Sequence, residues 1–104
     1  MIEIRETERY KKWYQKLHDI QAKARIKARI RRLSLGNRGD CKPIGNGLSE
    51  LRIHYGQGYR VYFNDTGRGI TILLCGGDKS TQQADIENAK KLADEEEVQE
   101  NENN

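Results

Sequence analysis

Polar and apolar residues alternate in two neighbouring stretches of the chain, residues 50–55 and residues 59–63. Alternation of this kind is typical of a β-strand with one buried face. The tripeptide Gly56-Gln57-Gly58 between the two stretches predicts a hairpin turn. A third stretch, residues 70–74, is largely apolar on both faces, which predicts a strand in the centre of a sheet.

A three-residue hairpin loop fixes the expected register of the first two strands. His54 then lies opposite Arg60. Arg52 lies opposite Tyr62, on the same face of the sheet. Two arginines, a histidine and a tyrosine on one rigid face are typical of a surface that binds an anion with stacking groups, such as RNA. The alternative is an ordinary solvated strand face, because exposed arginine is common.

Two helices are predicted ahead of these strands, because apolar residues recur at helical spacing between residues 10 and 33. Thr7 is placed to cap the first helix and Asp19 to cap the second. The expected core positions are Tyr10, Trp13, Tyr14 and Leu17 in the first helix and Ala22, Ile26, Ile30 and Leu33 in the second. Residues 2–5 alternate and predict a short edge strand before both helices.

The other segments predict a loop, a last helix and a tail. Residues 36–47 are rich in glycine, which favours a loop. Ser80 or Thr81 is expected to cap the last helix, with Gln83 completing a capping box. Its expected inner face consists of Ile86, Ala89, Leu92 and Ala93. Residues 95–104 are strongly acidic with one apolar residue, and we expect them to be a disordered tail.

The predicted order of elements is therefore β-α-α-β-β-β-α within one domain, residues 1–94. This is an α+β fold, in which two N-terminal helices and a C-terminal helix pack on a small antiparallel sheet. A chain of 104 residues has room for a single core.

The net charge of +3 conceals an uneven distribution. Residues 1–81 hold 17 Lys and Arg against 8 Asp and Glu, whereas residues 82–104 hold 2 against 8. A strongly basic body indicates a polyanionic partner, because phosphate contacts release condensed counterions.

The second predicted helix is the most basic segment, since no acidic residue occurs between Asp19 and Asp40. Lys23, Lys27 and Arg31 form one row along it, which we predict to contact RNA. A second row consists of Arg25, Arg29 and Arg32. A solvated helix face and contact with a protein partner stay open as alternatives.

Composition also limits the class of protein. No apolar run is long enough to span a bilayer and the chain does not start with a signal-peptide pattern, so we expect a cytoplasmic protein without a membrane partner. Cys41 and Cys75 lack the spacing of a zinc or redox motif, and we expect two reduced thiols, no metal and no cofactor. Cys75 ends an apolar strand and is expected to pack in the core.

A family resemblance is carried by four segments between residues 50 and 86. They are Glu50-Leu-Arg52, Gly58-Tyr-Arg-Val-Tyr62, the apolar strand at residues 70–74, and Gly76-Gly-Asp-Lys-Ser-Thr-Gln82 followed by Asp85-Ile86. These segments resemble the toxins of the RelE/ParE superfamily, and more narrowly the HigB-like "addiction module killer" branch. The resemblance extends over roughly residues 1–94 and implies a RelE-like fold.

The resemblance implies the toxin of a type II toxin–antitoxin system. Such a toxin is an endoribonuclease, or mRNA interferase, that cuts mRNA in the ribosomal A site, inhibits translation and arrests growth. The implied reaction is the attack of a 2′-hydroxyl on the adjacent phosphate without a metal. The implied partners are mRNA, the ribosome and a cognate antitoxin, a small helix-turn-helix protein.

Cations in the resembling segments are the candidates for stabilising a dianionic phosphorane. They are Arg52, Arg60 and Lys79. Arg60 matches the family motif, and its guanidinium can hold phosphate with two hydrogen bonds. Its alternative role is a structural ion pair with Glu50 or Asp78.

Three residues have other candidate roles. His54 is the acid–base candidate, because histidine titrates near neutral pH. Lys79 lies where a strand meets a helix, and it either binds phosphate or donates a proton to the leaving oxygen. Tyr62 is the tyrosine expected on the basic face, where it would stack on an RNA base.

Two other functions stay open. The superfamily also includes ParE-like poisons of DNA gyrase, which share the fold and do not cut RNA. The third possibility is a catalytically inert protein that binds only RNA or the antitoxin.

Overall fold

The computed structural model describes the backbone of residues 1–103 and the side chains of residues 1–96. Within these residues the chain forms strands, helices and one 3₁₀ turn, Lys79–Thr81. The elements are β1 (Glu3–Glu6), α1 (Glu8–Gln15), α2 (Ile20–Ser34), β2 (Cys41–Gly45), β3 (Leu48–Ile53), β4 (Tyr59–Asp65), β5 (Ile70–Gly77) and α3 (Gln82–Asn103).

The five strands form one sheet in the order β1-β5-β4-β3-β2. β1 runs parallel to β5, whereas the other neighbouring pairs are antiparallel. The parallel pair departs from the predicted antiparallel sheet, and most of the chain lies between its two strands. β5 lies inside the sheet, as its apolar sequence predicted, and β4 occupies the middle position. The predicted α+β architecture is confirmed.

Strand β2 corrects the prediction of a loop over residues 36–47. Cys41 pairs with Leu51 and Pro43 pairs with Ser49, so this segment is an edge strand beside β3. An edge strand tolerates proline, because on the outer side of the strand a missing N–H breaks no hydrogen bond of the sheet. The glycine-rich composition concealed a strand that is stabilised by its neighbour.

The helices cover the two faces of the sheet separately. α1 and α2 pack on one face over a cluster that includes Leu51, Val61 and Phe63. α3 packs on the other face, where Leu74 and Ala89 are fully buried. Helices cover β3 and β4 on both faces. Their polar residues therefore face apolar side chains, except where they lie beyond the N-terminal end of α3.

The N-terminal helices begin where the sequence predicts. The Thr7 side chain accepts a hydrogen bond from the N–H of Tyr10, and the Asp19 side chain accepts from the N–H groups of Gln21 and Ala22. The predicted apolar stripes of both helices belong to one cluster, which confirms their orientation.

The C-terminal helical segment begins earlier than predicted, because Asp78 is the cap. Its carboxylate accepts from the Ser80 N–H at 2.8 Å, while Thr81 Oγ1 accepts from the Asp78 N–H at 3.2 Å. This reciprocal pair starts the 3₁₀ turn that leads into α3. The predicted cap at Ser80 or Thr81 is therefore wrong, although the predicted inner face of α3 is confirmed.

α3 continues to Asn103, past the predicted end of the domain at Asp94. Glutamate and glutamine are good helix formers, and neither glycine nor proline interrupts this segment. The division into a domain and a tail stays a prediction, and Asn104 lies outside the described residues. Along the part of the chain that the structure describes, no helix has the length and apolarity needed to cross a bilayer.

Candidate active site

The β3–β4 hairpin has a different register from the predicted one. Arg52 pairs directly with Arg60, and Glu50 pairs with Tyr62. The connection between the strands is residues 54–58, so the loop is longer than three residues and the predicted pairing of His54 with Arg60 is wrong. The observed register places the two arginines side by side, so that both side chains can contact the same ligand.

One end of this sheet face, near Arg52 and Arg60, is open. Gln82, at the start of α3, donates from its side chain to the Glu50 carboxylate at 2.8 Å, so α3 covers the face from that point onward. Tyr62 is fully buried beneath it and donates its hydroxyl to Glu50 at 3.1 Å. Burial raises the pKa of the Tyr62 hydroxyl above its ordinary value, and the neighbouring Glu50 adds to the effect. The predicted stacking of Tyr62 on RNA is therefore wrong, because no base can reach it.

The open end forms a cleft of about 380 Å³, which we call the candidate catalytic cleft. It gathers all four predicted catalytic residues, although they come from three separate segments of the chain. Its lining consists of Arg52, Ile53, His54, Tyr55, Gly56, Gln57, Gly58, Arg60 and Lys79. The concentration of cations at one concave site suits an anionic ligand.

Arg60 lies both at the cleft and beside the Glu50 carboxylate. It lines the cleft, and its guanidinium also lies 3.7 Å from the Glu50 carboxylate. Its side chain is 9% exposed and that of Glu50 is 1% exposed, so this ion pair is buried. The buried carboxylate therefore attracts the guanidinium from the core side while Arg60 still lines the cleft.

His54 is held by a residue that sequence reasoning missed. Its Nε2 forms a hydrogen bond with the carboxylate of Asp40, which also lies 3.6 Å from Arg52 Nε. The hydrogen bond from His54 lowers the pKa of Asp40, and the charges of Arg52 and Arg29 add to the effect. Asp40 therefore stays ionised through the pH range in which histidine titrates. Its contact with His54 depends on the β2–β3 pairing, and the local sequence carries no signal of it.

Lys79 reaches the cleft because the preceding glycines permit close packing. Its side-chain carbons lie near Gly58, about 3.5 Å from where a Cβ would stand. A Cβ on Gly76 would come within 2.3 Å of the Trp13 ring, and one on Gly77 within 1.8 Å of Asp85. The Gly-Gly pair thus lets α1 and α3 approach the end of β5, which sets the start of the turn that carries Lys79.

The two basic rows of α2 lie in different places. Lys23 and Lys27, which were predicted to bind RNA, lie over the Tyr14 ring on the side of α1, at 4.9 and 5.6 Å from its centroid. Arg31 is exposed near the end of α2 and does not line the candidate catalytic cleft. The predicted row is therefore remote from the candidate active site.

The other row of α2 borders the site. Arg25, Arg29 and Arg32 line a groove of about 240 Å³ together with His54. Arg25 stacks over the Tyr55 ring at 4.6 Å, and Arg29 donates to the carbonyl of Arg52 at 2.6 Å. The helical period separated the two rows in the sequence, but only packing showed which of them faces the hairpin.

Cys75 behaves as a packing residue, as the sequence predicted. It is buried beneath α3, and burial raises its pKa to about 12. Cys41 is half-buried on β2, and both thiols are free. Neither cysteine lines the candidate catalytic cleft.

The chain is similar in sequence to known proteins. Residues 12–96 match the family model described as phage derived protein Gp49-like. The chain belongs to this family. It is 53% identical over 94 residues to an uncharacterized protein of Haemophilus influenzae, covering 90% of this chain and 95% of the relative.

The fold also resembles a solved structure. A chain in the intact E. coli RelBE toxin–antitoxin complex superposes with a TM-score of 0.64, covering 75% of this chain and 96% of that one. The identity of that pair is 16%, so the likeness concerns the fold. The predicted RelE-like fold is confirmed.

Proposed function

We propose that this protein is the toxin of a type II toxin–antitoxin system and acts as a ribosome-dependent mRNA endonuclease. The observation that carries the proposal is the gathering of Arg52, His54, Arg60 and Lys79 around one cleft. The RelE-like fold and the resemblance of the sequence support it. Placement in the HigB-like branch belongs to the same proposal.

The proposed reaction needs only groups that the chain supplies. The 2′-oxygen of a ribose forms a bond to the adjacent phosphorus, and the bond from phosphorus to the 5′-oxygen of the next nucleotide breaks. The products are a 2′,3′-cyclic phosphate and a free 5′-hydroxyl. A base takes the proton from the 2′-hydroxyl, an acid returns one to the 5′-oxygen, and cations stabilise the dianionic phosphorane.

His54 is the proposed base, and Asp40 its positioning residue. When neutral His54 donates its Nε2 proton to Asp40, Nδ1 carries the lone pair that accepts the 2′-hydroxyl proton. Asp40 then stabilises the imidazolium that forms. The side chain of His54 is 69% exposed, so a substrate can reach it.

Arg60 and Arg52 are the proposed phosphate ligands. They lie opposite each other across the hairpin, and the buried Glu50 fixes Arg60. Preorganised cations stabilise charge as it develops without rearranging during the reaction. Lys79 is exposed on the turn at the cleft rim, and it is the proposed donor to the 5′-oxygen.

The proposed partners are the ribosome, mRNA and an antitoxin, with the cytoplasm as the site of action. The matched structure is that of a toxin–antitoxin complex, which supports the proposal of a cognate antitoxin. A small helix-turn-helix protein with acidic side chains would complement the basic cleft and the α2 row beside it.

Expression in bacteria tests the proposal. Wild-type protein should arrest growth and cut mRNA on translating ribosomes. Lys79→Ala should lower cleavage by roughly 10²–10⁴, the usual contribution of a general acid. Arg68→Ala is the matched control, because Arg68 is an exposed cation on the β4–β5 turn outside the cleft.

A plasmid-relaxation assay with DNA gyrase separates the ParE-like alternative. Inhibition of gyrase by wild-type protein, with intact ribosome-bound mRNA, would refute the nuclease proposal. Growth arrest with neither effect would refute both functions.

A further inference from the structure

A second cleft, of about 480 Å³, lies between α1 and the 3₁₀ turn Lys79–Thr81, and we call it the α1 cleft. Its lining consists of Arg9, Lys12, Trp13, Lys16, Gly76, Asp78, Thr81 and Asp85. Lys79 lines the candidate catalytic cleft, whereas Asp78 and Thr81 on the same turn line the α1 cleft. The turn therefore contributes residues to both clefts and forms a wall that they share.

Three cations stand on the α1 side of this cleft. Arg9, Lys12 and Lys16 recur at helical spacing and are all exposed. Within the side chains that the structure describes, none of them forms an ion pair. Lys11, on another face of the helix, pairs with Glu8 at 3.5 Å. A row of unpaired cations attracts a polyanion.

Trp13 adds an aromatic surface between these cations. Its ring lies against Gly76 on the sheet side and is partly exposed. Proteins that bind single-stranded nucleic acid combine cations along the backbone with aromatic rings on which bases stack. The sequence suggested packing for Trp13, and the structure shows a ring that packs and also lines a cleft.

Two carboxylates line the opposite side. Asp78 accepts from the Ser80 N–H, and Asp85 accepts from the Thr81 hydroxyl, so both take part in the turn that begins the C-terminal helical segment. A phosphate is repelled from this side of the cleft. Its favourable position is against α1, beside Lys12 and Lys16.

We propose that the α1 cleft binds single-stranded RNA, namely nucleotides of the strand whose scissile phosphate occupies the candidate catalytic cleft. Trp13 stacks on one base, and Lys12 and Lys16 contact the flanking phosphates. The inference rests on the proposed nuclease function and extends its substrate site across the turn.

Trp13 is the only tryptophan in the chain, so its fluorescence reports directly on this cleft. The probe is a single-stranded RNA oligonucleotide that is 2′-O-methylated throughout, because it lacks the attacking hydroxyl and cannot be cut. Titrated into the wild-type chain at low salt, it should quench Trp13. The double variant Lys12→Ala/Lys16→Ala should bind ~10-fold more weakly, and its slope of log K against log salt should flatten by about 1.4.

Lys11→Ala is the matched control, since it removes a cation from another face of the same helix. It should leave the affinity within about twofold, because surface charge away from a contact has a weak, screened effect. Absence of quenching at low salt would overturn the inference, and so would equal losses in Lys11→Ala and the double variant. Stronger quenching by poly-glutamate than by RNA would assign the cleft to an acidic protein partner instead.

Cleavage assays on the same variants separate this inference from the proposed function. If the oligonucleotide quenches Trp13 as expected but wild-type protein does not cut ribosome-bound mRNA, the nuclease proposal fails and RNA binding stands. If wild-type protein cuts mRNA and Lys12→Ala/Lys16→Ala cuts and binds equally well, the α1 cleft is not part of the substrate site.

Discussion

The Glu50 carboxylate lies 3.7 Å from the Arg60 guanidinium, in a region where both side chains are buried. Tyr62 and Gln82 both donate hydrogen bonds to the same carboxylate, which therefore has three partners with Arg60 included. Arg60 is thus joined to the core on one side and open to the cleft on the other. This relationship makes the effect of an Arg60 substitution on stability separable from its effect on activity.

Arg60→Ala should reduce both activity and stability. Loss of the guanidinium should lower mRNA cleavage by roughly 10²–10³. It also leaves Glu50 as an uncompensated buried charge, which typically costs roughly 3–5 kcal/mol. Chemical denaturation measures the free energy of unfolding, and cleavage of ribosome-bound mRNA measures activity.

The double variant Arg60→Ala/Glu50→Gln is the control for this prediction. Removing both charges should restore much of the lost stability, while cleavage stays low because the cation is still absent. Recovery of cleavage together with stability would show that Arg60 acts only through the fold.

His54→Ala should lower cleavage by roughly 10²–10⁴, the usual contribution of a general base. Asp40→Asn should act in the same direction with a smaller effect, because it loses the charge that orients and stabilises His54. Single-turnover cleavage of ribosome-bound mRNA measures both losses.

Asp65→Asn is the matched control for Asp40, because Asp65 is an exposed carboxylate outside the candidate catalytic cleft. It should cleave mRNA at the wild-type rate. Wild-type cleavage by folded His54→Ala would assign proton transfer to another group.

Gly76→Ala should destabilise the fold without removing any functional group. Its Cβ would lie 2.3 Å from the Trp13 ring, and overpacking of this kind typically costs about 1–3 kcal/mol. Thermal denaturation followed by circular dichroism measures the loss. In a Trp13→Leu background, Gly76→Ala should lower the stability by less, because the smaller leucine leaves space for the added Cβ. Equal losses of stability from Gly76→Ala in the wild-type and the Trp13→Leu backgrounds would contradict the contact.

Asp85 should make stability depend on pH with a defined sign. Burial raises its pKa in the folded chain above the ordinary 3.8, with Thr81 and Arg9 acting against the shift. The folded state therefore holds this proton more tightly than the unfolded state, and stability falls as the pH rises from about 3.8 through the raised value. Asp85→Asn should remove this decrease. The difference in unfolding free energy between variant and wild type should grow over that interval and then level off, whereas a constant difference would contradict it.

Local patterns determined much of this molecule. Thr7 and Asp19 begin their helices as predicted because a capping side chain bonds to N–H groups two or three residues away. The apolar stripes of α1, α2 and α3 and the buried strand β5 followed from periodicity, because side-chain direction repeats with the backbone. The candidate cations Arg52, Arg60 and Lys79 could also be named from the sequence.

Tertiary structure decided what these side chains face. The hairpin pairs Arg52 with Arg60 and carries a longer loop than Gly56-Gln57-Gly58 predicted, because strand pairing selects the register. α3 then covers Tyr62 while leaving Arg60 at the cleft. Alternation specifies only which residues share a face, and a helix that is distant in sequence determines whether that face meets solvent.

The same reason explains what the sequence concealed. β2 appeared as a glycine-rich loop because it is stabilised by hydrogen bonds to β3. Asp40 could not be assigned to His54, since their contact depends on that pairing. The charge rows of α2 were visible in the sequence, but the row that borders the site is set by how α2 packs on the sheet. Chemistry was readable from residue types, whereas proximity depended on contacts between segments far apart in the chain.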